Sequence, residues 1–473
     1  MPTDPRRLRN DAPLLDAWLR FQEEQPAPFT IPGHKHRHDL VGDVVAGDVP
    51  LYAGLDTMKL ARGVLIEAES RAARLWGADL CRFSVGGSTH GNQALALAVA
   101  RPGDRVVVAR TLHRSMLLGL VIAGLVPVWV RPEVDPAHGL PVGVSAAALE
   151  AALDEAPDAR AVFVGDPSYV GTVGDVASLA TVAHRHGIPL VVDAAWGAHL
   201  GFHPALPPHA VAAGADAVVT SAHKALPAFS QGAIVLAQTR RISRARFDAG
   251  IEATATTSPS GAILASVDAA RALLEREGPA LLGPVVEAVA AARARLARVA
   301  GLVVLDGPAV DPMRLVLVLP GTGADGNAVE ADLLVRGMPV EMADRDTLVA
   351  MVTLADTRER VEDLAVALVE SIDSHRGTAR PLAPSGVWAV DPVTVLTPRE
   401  AFFAPRESVP VEAAVGRVSA ELIAPYPPGI PVLAPGEEVT MDAVDALLAA
   451  RAAGSRIAYA ADPSVRTLDV VAE

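Results

Sequence analysis

Residues 217–224 read AVVTSAHK: a short β-branched run that breaks at Ser221 into a polar turn ending on Lys224. The run is apolar at consecutive rather than alternate positions, the pattern of a strand covered on both faces. Working outward, the same kind of run recurs at 105–109 (RVVVA), 126–130 (VPVWV), 161–165 (AVFVG), 189–193 (PLVVD) and 232–237 (GAIVLA), spaced by longer Ala-rich segments of helical period. Such alternation predicts βαβ units and a mainly parallel sheet. Ligands of sheets of this kind gather beyond the carboxyl ends of the strands. In this chain the polar motifs follow the strand runs.

Further along, residues 262–300 predict one or two long helices, rich in Ala, Arg and Leu. A second alternating region follows, with runs at 302–305 and 314–319 and a helix around 364–372. The stretch 376–392, RGTARPLAPSGVWAVDP, is rich in Pro and Gly and marks a boundary before a compact C-terminal segment. The division expected is an N-terminal arm and segment (1–60), a large domain (61–300), a small α/β domain (301–380) and a C-terminal domain (381–473). The 473 residues leave room for it at roughly 150 residues per unit.

Composition narrows the function. Lys and Arg number 41 against 55 Asp and Glu, a net charge of −14 that opposes binding to nucleic acid. No run reaches the ~18 consecutive apolar residues of a membrane span, and the early arginines of the N-terminus are not followed by the apolar run of an export signal. Cys81 stands alone and has no internal disulfide partner, in keeping with a cytoplasmic setting.

Four motifs carry chemistry. Lys224, on the turn after its strand, sits where an amine can meet a bound aldehyde, although alone it reads more readily as a surface or salt-bridged lysine. Asp193 ends the run PLVVD, where a carboxylate can pair with a protonated ring nitrogen and keep that ring electron-accepting; alone it is also an ordinary loop cap. Gly86-Gly87-Ser88-Thr89-His90-Gly91-Asn92 opens an apolar helix, and a Gly-rich helix start offers free N–H groups and a positive dipole end to an anion such as phosphate. No Gly-Lys-Ser/Thr follows, so this is not a Walker A loop. His113, after the run 105–109, faces the same sheet edge, where an imidazole can stack on a flat ring.

In this order the motifs resemble the Orn/Lys/Arg decarboxylase family, in its shorter form without an N-terminal wing domain. The likeness starts at TIPGHK (30–35) and GLDTMKL (54–60), continues through GGSTHGN, RTLHRSM, DPSYVGTVGD, VDAAWGAHLGF, SAHKALPAFSQGA and TTSPSGAILASVDAAR (256–271), and ends at SAELIAPYPPGIPVLAPGEEVT (419–440). The resemblance implies a fold type I, aspartate-aminotransferase-like large domain with a mainly parallel seven-stranded sheet, a smaller α+β C-terminal domain, and pyridoxal 5'-phosphate (PLP) as cofactor. By it, Lys224 holds the cofactor as a Schiff base, Asp193 pairs with the pyridine nitrogen and His113 stacks on the ring. Gly87, Ser88, Thr89, Ser221 and His223 contact phosphate, and His223 also lies near the reacting carbon. Thr257 and Ser258 reach the phosphate of a neighbouring subunit, which implies a homodimer with shared sites, a tetramer remaining open. The activity implied is decarboxylation of arginine, lysine or ornithine.

Trp196 departs from the short form, which often has Asp-Glu-Ala-His here, and it borders the ring site. For a substrate's distal cation Glu341, Asp344, Glu421 and Glu437 are candidates. His34, His36 and His38 have the spacing of one side of a strand, but with no second ligand cluster they read as an N-terminal arm rather than a metal site. Cofactor residues alone do not fix which bond breaks, so an aminotransferase, a carbon–sulfur lyase and an inactive regulatory relative stand as alternatives.

Overall fold

The computed structural model describes residues 4–24, 40, 42–45, 47–49, 63–135, 137–382, 390–426 and 430–473. The stretches 30–35 and 54–60, with His34, His36 and His38, lie outside them, as does part of the YPPGIP segment.

The strand runs form a seven-stranded sheet: β1 (Leu80–Ser84), β2 (Arg105–Ala109), β3 (Val126–Val130), β4 (Val162–Gly165), β5 (Leu190–Asp193), β6 (Ala217–Ser221) and β7 (Ala233–Ala237). Their spatial order is β1-β7-β6-β5-β4-β2-β3, and β7 alone runs against the rest. The consecutive apolar residues are explained by two cores. Val107, Val162, Val164, Val192, Val218 and Ile234 point into one, while their neighbours Val106, Phe163, Val191, Val219 and Val235 point into the other. Side chains alternate faces along a strand, so a sheet roofed on both sides needs apolar residues at every position. The roof includes α1 (Gly87–Val99) and α2 (Arg114–Ala123), which pack against each other.

Residues 262–300 prove to hold a single helix, α3 (Gly261–Leu296), with Pro279 and Pro284 inside it. Its buried Asp268 pairs with Arg271, and Asp268 also accepts the Leu14 amide at 2.9 Å, tying down the helix Pro13–Glu24. Beyond α3 comes an antiparallel sheet of β8 (Val303–Val304), β9 (Arg314–Val318), β10 (Met342–Ala343) and β11 (Thr347–Met351), in the order β8-β9-β11-β10. The run 302–305 contributes only two of its residues as strand. Helix α4 (Arg358–Ser374) packs on α3.

The C-terminal part has its own core and two antiparallel ribbons, β12 (Arg406–Pro410) with β15 (Thr467–Val471) and β13 (Ala424–Tyr426) with β14 (Arg456–Ala458). It is riveted to the large sheet by Arg110, which directly follows β2. That guanidinium donates to Pro431 O at 3.2 Å, Val432 O at 3.0 Å and Glu437 Oε2 at 2.7 Å, and lies 4.9 Å from the ring centroid of Trp129. No helix among the described residues is long and apolar enough to cross a membrane.

Candidate active site

Strands β1 to β6 share one direction, so Ser84, Ala109, Gly165, Asp193 and Ser221 all end at the same sheet edge, beside Ala233 at the start of β7. A cavity of about 490 Å3 opens there. Gly87, Ser88, Thr89, His113, Asp193, Trp196, Ser221, His223 and Lys224 all line it. Thr257 and Ser258 do not; both are exposed, on the segment between the helix Arg244–Thr254 and α3.

Lys224 sits in the single helical turn Ala222–Ala225, which starts where β6 stops. Its Nζ lies 3.7 Å from the ring centroid of Trp196. Burial holds its pKa below that of an ordinary lysine, and the positive charge of Arg314 adds to the effect, while Asp193 and Glu341 oppose it. The chain has three lysines, and Lys224 is the only one among the described residues.

Asp193 is buried at the end of β5 and held at both oxygens: Oδ1 accepts the Ala195 amide at 3.1 Å and Oδ2 accepts Asn92 Nδ2 at 2.6 Å. The same Asn92 nitrogen donates to Ser115 Oγ at 2.8 Å, leaving the Ser115 hydroxyl to donate to His113 Nδ1, also at 2.8 Å. The Ser115 amide donates to that Nδ1 at 3.2 Å, so His113 also caps α2. With Nδ1 accepting, the ring proton of neutral His113 stands on Nε2. Burial lowers its pKa, with Lys224 and Arg114 contributing and Asp193 opposing. In His223, Nδ1 donates to Gly232 O at 2.9 Å, which leaves Nε2 of the neutral ring with a lone pair.

The Gly-rich motif forms the start of α1. Gly87 has φ +67°, and a Cβ built on it would meet nothing within 4 Å, so conformation and not crowding calls for glycine there. Its amide donates to Gln231 O at 2.8 Å, and Ser88 Oγ is hydrogen-bonded to Ser221 Oγ at 2.7 Å. His90 turns away from the cavity, bonded to Ser84 Oγ and to Ile251 O.

Several residues of the site carried no role in the sequence reading. Asn92, Ser115, Asp166 and Tyr169 stood inside quoted motifs without a role, and Arg314 opened the run 314–319 read only as a strand, because only the tertiary fold brings these side chains to the site. Tyr169 meets Trp196 edge-on at 5.4 Å, and its hydroxyl is 3.3 Å from Glu341 Oε1. Asp166, beside the cavity, accepts the Gly174 amide at 2.5 Å, and burial pushes its pKa up to about 7. Elsewhere, Glu150, Asp154 and His186 bring ligand atoms within 4.8 Å of one another, but Glu150 is already bonded to Arg185 and His186.

The cavity wall thus holds a half-buried primary amine, a buried carboxylate and a Gly-rich helix start, the three kinds of group that an aldehyde, a pyridine nitrogen and a phosphate require. PLP carries all three, and the residues fit it. Sheet order and cavity together define the fold type I class of PLP-dependent enzymes. Within that class the chain belongs to the Orn/Lys/Arg decarboxylase family, matching its major domain over residues 12–307 and its C-terminal domain over 386–457, and it is a PLP-dependent amino-acid decarboxylase. It is 32% identical to the arginine decarboxylase of Halalkalibacterium halodurans over 98% of either chain. It is 30% identical to the arginine decarboxylase of Bacillus subtilis over 98% of this chain and 99% of that one. Among solved structures, lysine decarboxylase A from Pseudomonas aeruginosa superposes with a TM-score of 0.83 at 21% identity, covering 98% of this chain and 80% of that one. Serine palmitoyltransferase of Sphingomonas wittichii shares the fold with a TM-score of 0.54 at 16% identity, over 65% of this chain and 76% of that one.

Proposed function

We propose that the enzyme decarboxylates a basic amino acid, with arginine the preferred substrate, and that Lys224 carries the cofactor. One observation carries the reading: the half-buried Lys224 amine and the buried Asp193 carboxylate stand on the wall of a single cavity that also contains the start of α1. The choice of arginine rests on relatives at 30–32% identity over nearly the full length that are named arginine decarboxylases, against 25% for a lysine decarboxylase over 80% of the chain.

PLP supplies an electron sink for the pair released when the bond from Cα to the carboxylate breaks. The chain's own residues do the rest. Lys224, its amine kept nucleophilic by desolvation, would hold the cofactor through its aldehyde. Asp193, fixed by Asn92 and Ala195, would keep the pyridine nitrogen protonated. His113, oriented through Ser115, would cover the ring, while Ser88, Thr89 and Ser221 would hold the phosphate with Gly87 giving the turn its shape. The Lys224 amine, or His223 once it has taken up a proton on the free Nε2, would deliver a proton to Cα after carbon dioxide leaves.

Of the four acids considered for the substrate's distal cation, three are otherwise engaged. Asp344 accepts the amides of Asp346 and Thr347, Glu421 those of Ala461 and Asp469, and Glu437 is paired with Arg110. Glu341, reached by Tyr169 beside the cavity and acting electrostatically on Lys224, is the one proposed to take a guanidinium. Thr257 and Ser258, exposed and outside the cavity, would complete the site of a second subunit in a cytoplasmic homodimer.

The test is the visible spectrum of the purified protein, with carbon dioxide and amine followed after separate additions of arginine, lysine and ornithine. A band near ~420 nm is expected, absent from Lys224→Ala, with carbon dioxide from arginine. Glu341→Gln should lower kcat/KM for that substrate by about tenfold or more, the loss of a charged hydrogen bond. A cofactor band with no carbon dioxide from any of the three overturns the substrate assignment.

A further inference from the structure

Trp196 has two cationic neighbours. Lys224 Nζ lies 3.7 Å from its ring centroid and the guanidinium carbon of Arg314 lies 4.5 Å from the same centroid. Arg314 opens β9, in the smaller sheet, and its side chain is only 3% exposed. A guanidinium so deep needs a counter-charge. Asp311 supplies it at 3.7 Å from Nε, and is itself fully buried and fixed by the Met313 amide at 3.0 Å and by His199 Nε2 at 3.1 Å. Arg314 Nη1 has no hydrogen-bond partner, and the indole face takes the place of one. The larger domain makes room for this side chain: a Cβ on Gly171 would come within 2.7 Å of Arg314 Cγ, and Gly171 O accepts the Asp311 amide at 2.8 Å.

We propose that Arg314 is a positioning residue of the active site: seated on Asp311 and laid against Trp196, it supplies from the smaller sheet a fixed positive charge that disfavours protonation of the Lys224 nitrogen. The proposal rests on the reading that Lys224 carries the cofactor. The groups that act on Lys224 are Asp193 from β5, Glu341 from the segment before β10, His113 from the start of α2, and Arg314 from β9. Both carboxylates favour the protonated nitrogen. Burial and Arg314 work the other way, and of the two Arg314 is the one a single substitution removes. Arginine suits the task because its charge does not titrate in the working range of an enzyme.

The experiment is a pH titration of the visible band of the full-length, cofactor-loaded protein, which reads the charge on the Lys224 nitrogen independently of turnover. Removing a neighbouring cation makes that nitrogen easier to protonate. In Arg314→Met the midpoint should therefore move up by about one pH unit, and in Arg314→Lys most of the shift should be restored. Arg314→Met leaves Asp311 buried without a counter-charge, so the double variant Arg314→Met, Asp311→Asn is titrated alongside it and should show the same upward shift. An unchanged midpoint in a variant that keeps its circular dichroism overturns the proposal, and so does a lysine variant that shifts as far as the methionine one. If neither the single nor the double variant folds, Arg314 is structural and the proposal falls. Lys224→Ala separates the two readings: a band that survives there defeats the assignment of Lys224, whereas its loss together with an unmoved midpoint in Arg314→Met defeats only the role of Arg314.

Discussion

Asn92 spends both hydrogens of its amide inside the site, one on Asp193 and one on Ser115. It thereby sets the carboxylate and, through the serine, the tautomer of His113. A leucine of similar size would leave Asp193 with the Ala195 amide alone. Asn92→Leu is expected to fold and to lose at least about tenfold in kcat, the loss of a hydrogen bond to a charged group, as read from initial rates at saturating substrate alongside far-ultraviolet circular dichroism. The sequence made Lys224, Asp193 and His113 legible because each stands within four residues of the end of a recognisable strand run. Asn92 was harder. It lies five residues into α1 from Gly87, and nothing local says that this position faces the end of β5 and not the helix roof. Arg314 was hidden for the same reason, since its partner across the indole belongs to another sheet.

At the scale of elements, the loop from β4 to the helix Val176–Arg185 carries Tyr169 into the site and is closed on itself. The Ser168 amide donates to Thr172 O, the Gly171 amide to Ser168 O, and the Asp166 carboxyl takes the Gly174 amide. Asp166 is a buried acid with a pKa of about 7 against ~3.9 in an unfolded chain. The folded state therefore holds its proton more tightly than the unfolded state. The resulting stabilisation is complete below pH ~4, declines by about 1.4 kcal/mol per unit as pH rises, and is gone above about 7. Asp166→Asn should remove that decline, so the difference in melting temperature between variant and wild type should grow in the variant's favour from pH 4 to 7; a constant difference would place the acid's proton elsewhere. Elements were readable where periodicity was strong, as in the six strand runs and α3. They were misjudged where neighbours set the limits: only Val303–Val304 of the run 302–305 finds a partner, against β9.

Over the whole molecule, the C-terminal part is held to the large sheet through a few buried polar contacts centred on Arg110 and Glu437. Removing one partner of a buried pair leaves an uncompensated charge, so Arg110→Met should cost about 3–5 kcal/mol. Arg110→Met with Glu437→Gln should recover part of that, as measured by urea denaturation. Composition marked an acidic protein, no apolar run reached the ~18 residues of a membrane span, and the order of the motifs pointed to the architecture. What composition could not show was how the C-terminal part docks, because Arg110 and Glu437 are 327 residues apart in the chain.

Lysine is almost absent from this chain, accounting for three of its 41 basic residues, and among the described residues it is present only as the half-buried Lys224. Guanidinium groups keep their charge to about pH 12 and beyond. In alkaline solution the protein should therefore hold nearly all its positive charge where a lysine-rich protein would shed it. Apart from Lys35, Lys59 and the N-terminal amine, reagents that label amines have only Lys224 to find, and a lysine that holds the cofactor is withheld from them, so the loss of Lys224 labelling on loading with cofactor should count the occupied active sites.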